Sequence, residues 1–120
     1  MKGKKLPLLI LCASITHVHA SQNDGSKSEA DAVAALCDAM RYQAYNTMEL
    51  RQLSAPKYKL KEAVDRQIDD INSRLKQYKL IDEAYALALV SPDRAGIVAH
   101  EFSESQYEKC MSEQKNVVGL

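Results

Sequence analysis

Histidine, cysteine and glycine are all scarce in this sequence, and each scarcity removes a class of chemistry. There are three His, three Cys and four Gly in 120 residues. His17, His19, Cys12 and Gly3 fall within the first 20 residues, a stretch that reads as a removable export signal. Beyond it stand His100, the pair Cys37 and Cys110, and the isolated Gly25, Gly96 and Gly119. One histidine and two cysteines expected to be oxidised leave only carboxylates as metal ligands, so no metal is expected. His100 with Glu104, one helical turn apart, reads as an exposed polar face. A hydrolase triad needs a nucleophile, a histidine and an orienting acid. Here Glu101, Ser103 and Glu104 are all local to His100 on one helix. The acid pairs Asp69-Asp70 and Asp82-Glu83 are adjacent residues, which on a helix point about 100° apart and do not converge on a substrate. No glycine-rich phosphate loop is present. Strand-like alternation, internal repeats and low-complexity tracts are also missing. These absences predict a protein that is not an enzyme and holds no cofactor.

Residues 1–20 carry the marks of a secretory signal: Lys2, Lys4 and Lys5, then an apolar run from Leu6 to Ile15, then Val18-His19-Ala20 before Ser21. The apolar run is shorter than the roughly 20 residues that span a bilayer. Leu11, in front of Cys12, is not the small residue that lipid attachment there would want. Cleavage is therefore expected after Ala20, with a periplasmic or secreted product and no stable membrane anchor. The full chain has 16 basic and 16 acidic residues. Losing three lysines leaves 13 against 16, a net charge of −3. That charge argues against a nucleic-acid partner, which would call for clustered positive residues.

Residues 21–28 are polar and read as a disordered leader. Residues 29–112 read as one helical domain, and 113–120 as a flexible tail. Ser28 is a fitting N-cap for a first helix, with Asp31 three residues on. Val33, Leu36, Cys37, Met40, Ala44, Thr47 and Met48 then recur at helical steps. Ser54-Ala55-Pro56 should end that helix near Leu53. The cleanest period follows: Leu60, Val64, Ile68, Ile71, Leu75 and Tyr78 predict an amphipathic helix with one buried stripe. Residues 80–90 are helix-forming and more apolar all round. One helix from 57 to 90 would be about 50 Å long, more than so small a domain can cover. A break is therefore expected between Asn72 and Lys79. Ser91-Pro92-Asp93 restarts a helix with Ser as N-cap and Pro in the first turn. Val98, Phe102, Gln106 and Cys110 line its inner face.

An even count of two cysteines in an exported chain favours a disulfide between Cys37 and Cys110. Two buried thiols, or a bridge between chains, are the alternatives. Closing so long a loop would stabilise the fold by about 4 kcal/mol in the chain-entropy treatment. The fold expected is all-α: a small bundle of three to four helices, its first and last helices linked by one disulfide. All six tyrosines lie beyond the signal. Tyr78 and Tyr85 fall on apolar stripes and suit the edge of a core. Tyr42 and Tyr45 are less easily absorbed and mark a possible partner contact. Arg51 and Gln52, at the end of the first helix, are further candidates for a partner or for the chain's own termini.

Cys37, Met48, Arg51-Gln52, Ala84-Tyr85, Pro92, Phe102, Tyr107 and Cys110 together resemble a pattern found in small exported all-helical proteins of unknown function from bacterial and phage genomes. The resemblance spans most of residues 37–110. It departs at Leu53, where a glycine would follow the Arg-Gln pair, and in a more charged middle helix. It implies export and the disulfide, and it implies no activity.

The expected function is therefore binding of an exported or envelope protein, in the manner of an inhibitor, immunity or accessory factor. The alternative is a small-molecule or lipid carrier with a cavity between helices, lined by Leu80, Ile81, Leu87 and Leu89. A minor hydrolase dependent on His100 is the third.

Overall fold

The computed structural model describes residues 25–118, and helix propensity and capping divide these described residues into four helices. They are α1 (Gly25–Gln52), α2 (Lys57–Gln67), α3 (Ile71–Tyr85) and α4 (Ala95–Val118), the last entered through a 3-10 turn at Pro92–Arg94. No strand occurs among the described residues. The signal expected at 1–20, and the leader as far as residue 24, lie outside them. Two expected boundaries move. Helix α1 begins at Gly25 instead of after Ser28, and α4 continues to Val118 instead of fading at residue 112. Neither extension meets a proline, and lengthening an existing helix is far easier than nucleating one.

Helix α1 ends where the sequence indicates, but through Ser54 as well as Pro56. Ser54 takes a left-handed φ of 65°. Its N–H donates to Arg51 O (2.9 Å) and the Ala55 N–H donates to Leu50 O (3.0 Å). This is a Schellman termination, in which a left-handed residue lets two later amides close the last open carbonyls.

The break between the second and third helices falls at Ile68–Asp70, ahead of the expected Asn72–Lys79 window. Asp70 is the cause. Its carboxylate accepts from the Ser73 N–H (2.8 Å) and the Ser73 hydroxyl (2.8 Å), a side-chain N-cap that starts α3 afresh. Arg74 closes the other side of the gap, donating to Ile68 O and to Asp65 O (3.2 Å). This three-residue interruption also dephases the apolar stripe. Leu60, Val64 and Ile68 are half-buried, while Ile71 and Leu75 are 59% and 55% exposed. The single buried stripe expected across 60–78 is thus not formed. Helix α2 contributes no fully buried residue. It runs antiparallel to α3, tied by Lys57 and Lys61 to Asp82 (2.8 and 2.9 Å) and by the Tyr78 hydroxyl to the Asp65 carboxylate.

The core lies instead between α1, α3 and α4. Ala44 and Met48, Leu80 and Ala84, and Ala99 and Phe102 form its buried cluster, edged by Met40, Tyr45, Tyr85 and Val98. Three alanines let the helices approach closely, while Met48, Leu80 and Phe102 each contribute about 1.5–3 kcal/mol by burial. Cys37 is fully buried and is bonded to Cys110 across a Cα–Cα distance of 5.5 Å. The bridge links the first and last helices of an all-α bundle, and the Arg41–Glu104 pair one turn on shows them to be antiparallel.

Helix α3 stops at Tyr85 and does not run on to residue 90. The apolar stretch after it is held open by side chains from α1. Arg51 donates through Nε (3.2 Å) and Nη2 (2.9 Å) to Leu87 O. Gln52 donates to Ala88 O (3.1 Å) and accepts from the Val90 N–H (2.9 Å). Ser91-Pro92 then forbids helix at the residue before the proline. Its restart is as expected in place, although Ser91 caps the 3-10 turn through its carbonyl, accepting from Arg94 N–H (2.9 Å), and not through its hydroxyl.

Candidate functional site

Two matched sets of residues face each other where α1 and α4 lie side by side. On α1, Asp38, Arg41, Tyr42 and Tyr45 stand at steps of three, one and three. On α4, His100, Ser103, Glu104 and Tyr107 repeat the same steps. Residues so spaced share one helix face. All except Tyr107 line a cleft of about 420 Å³. Arg41 sits at its centre. Its Nη1 donates to both oxygens of Glu104 (3.2 and 2.9 Å) and its Nη2 donates to Asp38 Oδ1 (2.9 Å). The guanidinium carbon stacks 3.7 Å from the centroid of the Tyr107 ring. Burial tends to lower the Arg41 pKa, but the bonds and charges of Glu104 and Asp38 outweigh it and raise the value. The buried Nε has no hydrogen-bond partner among the described residues.

Tyr42 is 70% exposed at the mouth of this cleft. Tyr45 is half-buried and packs against the edge of the core. The structure thus brings these two candidates together on one surface. Arg51 and Gln52 lie further along α1 and are engaged elsewhere, gripping residues 87–90 as described. Arg51 also stands 5.1 Å over the Tyr85 ring, and the Tyr85 hydroxyl donates to Ala55 O. Burial raises the Tyr85 pKa, and the Arg51 charge only partly offsets that rise. Arg51 and Gln52 therefore act within the chain, joining the end of α1 to the loop before α4.

Around His100 the hydroxyl and carboxylate that a triad would need are engaged elsewhere. Ser103 is buried, and its hydroxyl donates to the backbone carbonyl of His100 (2.7 Å). Glu104 gives both oxygens to Arg41. Among the described residues, no three His, Cys, Asp or Glu side chains converge in a way that could hold a metal ion.

A second, smaller cleft of about 160 Å³ opens between α1, α3 and α4, beside the disulfide. Leu36, Met40, Leu80 and Cys110 form its apolar part, with Lys76, Lys79, Lys109 and Glu83 among its polar walls. Glu83 accepts from Lys109 (2.8 Å) and Gln106 (2.7 Å). Burial pushes its pKa up, but these two donors outweigh it and hold the carboxyl below 4.5. The four residues expected to line a carrier cavity are separated. Leu80 and Ile81 are buried in the bundle, while Leu87 and Leu89 are 43% and 50% exposed on the following loop.

Reading the residues alone singled out Tyr42 and Tyr45 as a contact, took Glu104 only as a neighbour of His100 and Tyr107 only as part of a resemblance, and gave Asp38 and Arg41 no role in a site. The signal was the repeated three-one-three spacing on two helices, which gains meaning only once the helices are known to be neighbours. Comparison with protein-family models, with curated proteins and with solved structures returns no match for this chain.

Proposed function

We propose that this chain acts in an oxidising compartment, as a periplasmic or secreted protein, by binding another protein through the α1–α4 face around Tyr42 and Tyr45. One observation carries this reading: a large aromatic side chain stands 70% exposed beside a cleft of about 420 Å³. Tyrosine gives rigid contact area with a polar tip, which is the composition of binding hot spots. The disulfide supports the compartment, because such bridges persist where the surroundings are oxidising. Arg51 and Gln52, also candidates from the sequence, support the interface indirectly by fixing the end of α1 that carries it. An inhibitor, immunity or accessory factor works in this way, by occupying a partner and not by turning over a substrate.

The carrier reading has less behind it. The cleft beside the disulfide, at about 160 Å³, is smaller than the roughly 300–1,000 Å³ of typical ligand pockets. Residues 87–90 are committed to Arg51 and Gln52. A hydrolase through His100 would need Ser103 and Glu104 to abandon their present partners.

The test is capture of partners from an envelope or secreted fraction by the oxidised protein, compared with its Tyr42→Ala variant and read by mass spectrometry. A protein enriched by the parent and lost from the variant is expected. Identical sets from the two would sink the proposal.

A further inference from the structure

We infer that the Tyr42 surface is built to receive a cationic side chain, an arginine or lysine of the partner, seated between the Tyr42 ring and the carboxylate of Asp38. The inference rests on the binding reading above and adds the chemistry of the group bound.

The charges in the cleft do not cancel. Asp38 and Glu104 bring two negative charges against the single positive charge of Arg41. Both Glu104 oxygens face Arg41, whereas only Oδ1 of Asp38 does. Asp38 is also the more open of the two carboxylates, its side chain 64% exposed against 37% for Glu104. The excess charge is therefore presented to solvent at Asp38. Tyr42 follows Asp38 by four residues on the same helix, so its ring lies one turn along the same face. A carboxylate beside an open aromatic face is the pairing that attracts an ammonium or guanidinium.

One example of the arrangement already stands at the edge of the cleft. Arg41 lies over Tyr107 and is bonded to two carboxylates, its guanidinium carbon 3.7 Å from the ring centroid. Tyr42 and Asp38 offer the same two elements, ring and acid, with the ring 70% exposed. An anionic group would meet the opposite field, since the nearest positive charge is bound by two acids. An apolar group would bury Asp38 without a partner, which is costly.

The test uses N-acetyl-arginine amide as the probe and the neutral isostere N-acetyl-citrulline amide as its control, each titrated into the isotopically labelled oxidised protein and followed by amide NMR shifts. The arginine probe should give saturable shifts centred on Asp38, Tyr42 and His100, within a range up to about 50 mM. Asp38→Asn and Tyr42→Ala should each weaken binding by about three- to tenfold. Raising salt from about 0.05 to 0.5 M should weaken it further, because the pair is exposed. Equal shifts from citrulline, no saturable shift, or indifference to Asp38→Asn would overturn the inference. The two levels separate cleanly. A captured protein that is lost with Tyr42→Ala but retained by Asp38→Asn leaves the interface standing and removes the cationic group. A captured set indifferent to Tyr42→Ala removes both.

Discussion

Reducing the Cys37–Cys110 bridge should cost this domain a large part of its stability, and the size of the loss follows from the chain it closes. The bridge spans 73 residues. In the chain-entropy treatment, forbidding the open conformations of such a loop raises the free energy of the unfolded chain by about 4.4 kcal/mol at 25 °C. Domains of this size are stable by about 5–15 kcal/mol in total. The bridge therefore accounts for roughly a third or more of the folded state's margin, or about three decades in the folding equilibrium. With a urea slope of about 1 kcal/mol/M, the unfolding midpoint of the reduced protein should fall by about 4 M. The assay is paired urea unfolding of the oxidised and reduced protein, followed by far-UV circular dichroism. Thiol titration and mass measurement, in which the oxidised form is two hydrogens lighter, confirm each state. Reduction should be carried out in denaturant. In the folded protein a thiolate reductant would reach Cys110, which is half-buried, and would have to expel Cys37 as a thiolate into a fully buried site. Burial in apolar surroundings raises a thiol's pKa and makes it a poor leaving group. A stability loss below about 1 kcal/mol at unchanged slope would refute the reasoning. It would mean that the unfolded chain already keeps α1 and α4 together, so that the covalent link removes little freedom.

Three further outcomes follow from local geometry. Ser54→Gly should stabilise the domain by about 0.5–1 kcal/mol, since the left-handed φ of 65° is strained for serine and free for glycine. A thermal midpoint that rises by roughly 2–8 °C checks it; no rise, or an equal rise in Ser54→Ala, would count against it. Gln52→Leu should release the Val90 amide, with faster hydrogen exchange there and a loss of about 1–2 kcal/mol, while Gln52→Glu keeps the acceptor and should protect Val90 better than Leu does. Unchanged exchange at Val90 in Gln52→Leu would show that the loop holds itself. For acid stability, the Ser73 N–H and then its hydroxyl hold Asp70 below 3.8. A carboxyl lowered on folding contributes stability above its unfolded pKa and loses it as pH falls through the lower folded value. Asp70→Asn keeps a capping oxygen but does not titrate, so its urea midpoint should fall less steeply than the parent's below pH 3.8. An unchanged acid slope would remove Asp70 from the account.

The helical class, the end of α1 before Pro56, the restart at Pro92, and the cysteine pairing were all legible, because each depends on a strong local signal or on counting. The interruptions were harder. Nothing in the spacing of Leu60 through Tyr78 announces a break, since the apolar period runs across Ile68 without a fault. The stop comes from Asp70 reaching its own Ser73, a competition between side-chain capping and helix propagation that hydrophobic periodicity does not register. The same is true of residues 86–90. Their sequence favours helix, but Arg51 and Gln52 supply bonds to Leu87, Ala88 and Val90 from 36 to 38 positions away in the chain. Tertiary bonds of this kind override a propensity worth only tenths of a kcal/mol per residue.

For the site, the missing information was register, and the disulfide supplies its starting point. Cys37 and Cys110 place α1 and α4 side by side, and the Arg41–Glu104 pair sets them antiparallel. Stepping up α1 by one turn reaches Arg41, and stepping down α4 by a turn and a half reaches Glu104, so the ion pair lies next to the bridge. A further turn brings Tyr45 level with the His100–Ser103 region, and Tyr42 falls between. The charges on the two faces are then complementary except at Asp38, which gives Arg41 only one oxygen and is the acid assigned above to the partner's cation. The covalent link that restrains the unfolded chain is thus also what aligns the two halves of the proposed binding face. On this reasoning the reduced protein, where it still folds, should show its earliest loss of protection around Arg41 and Glu104, before the Met48–Phe102 core opens.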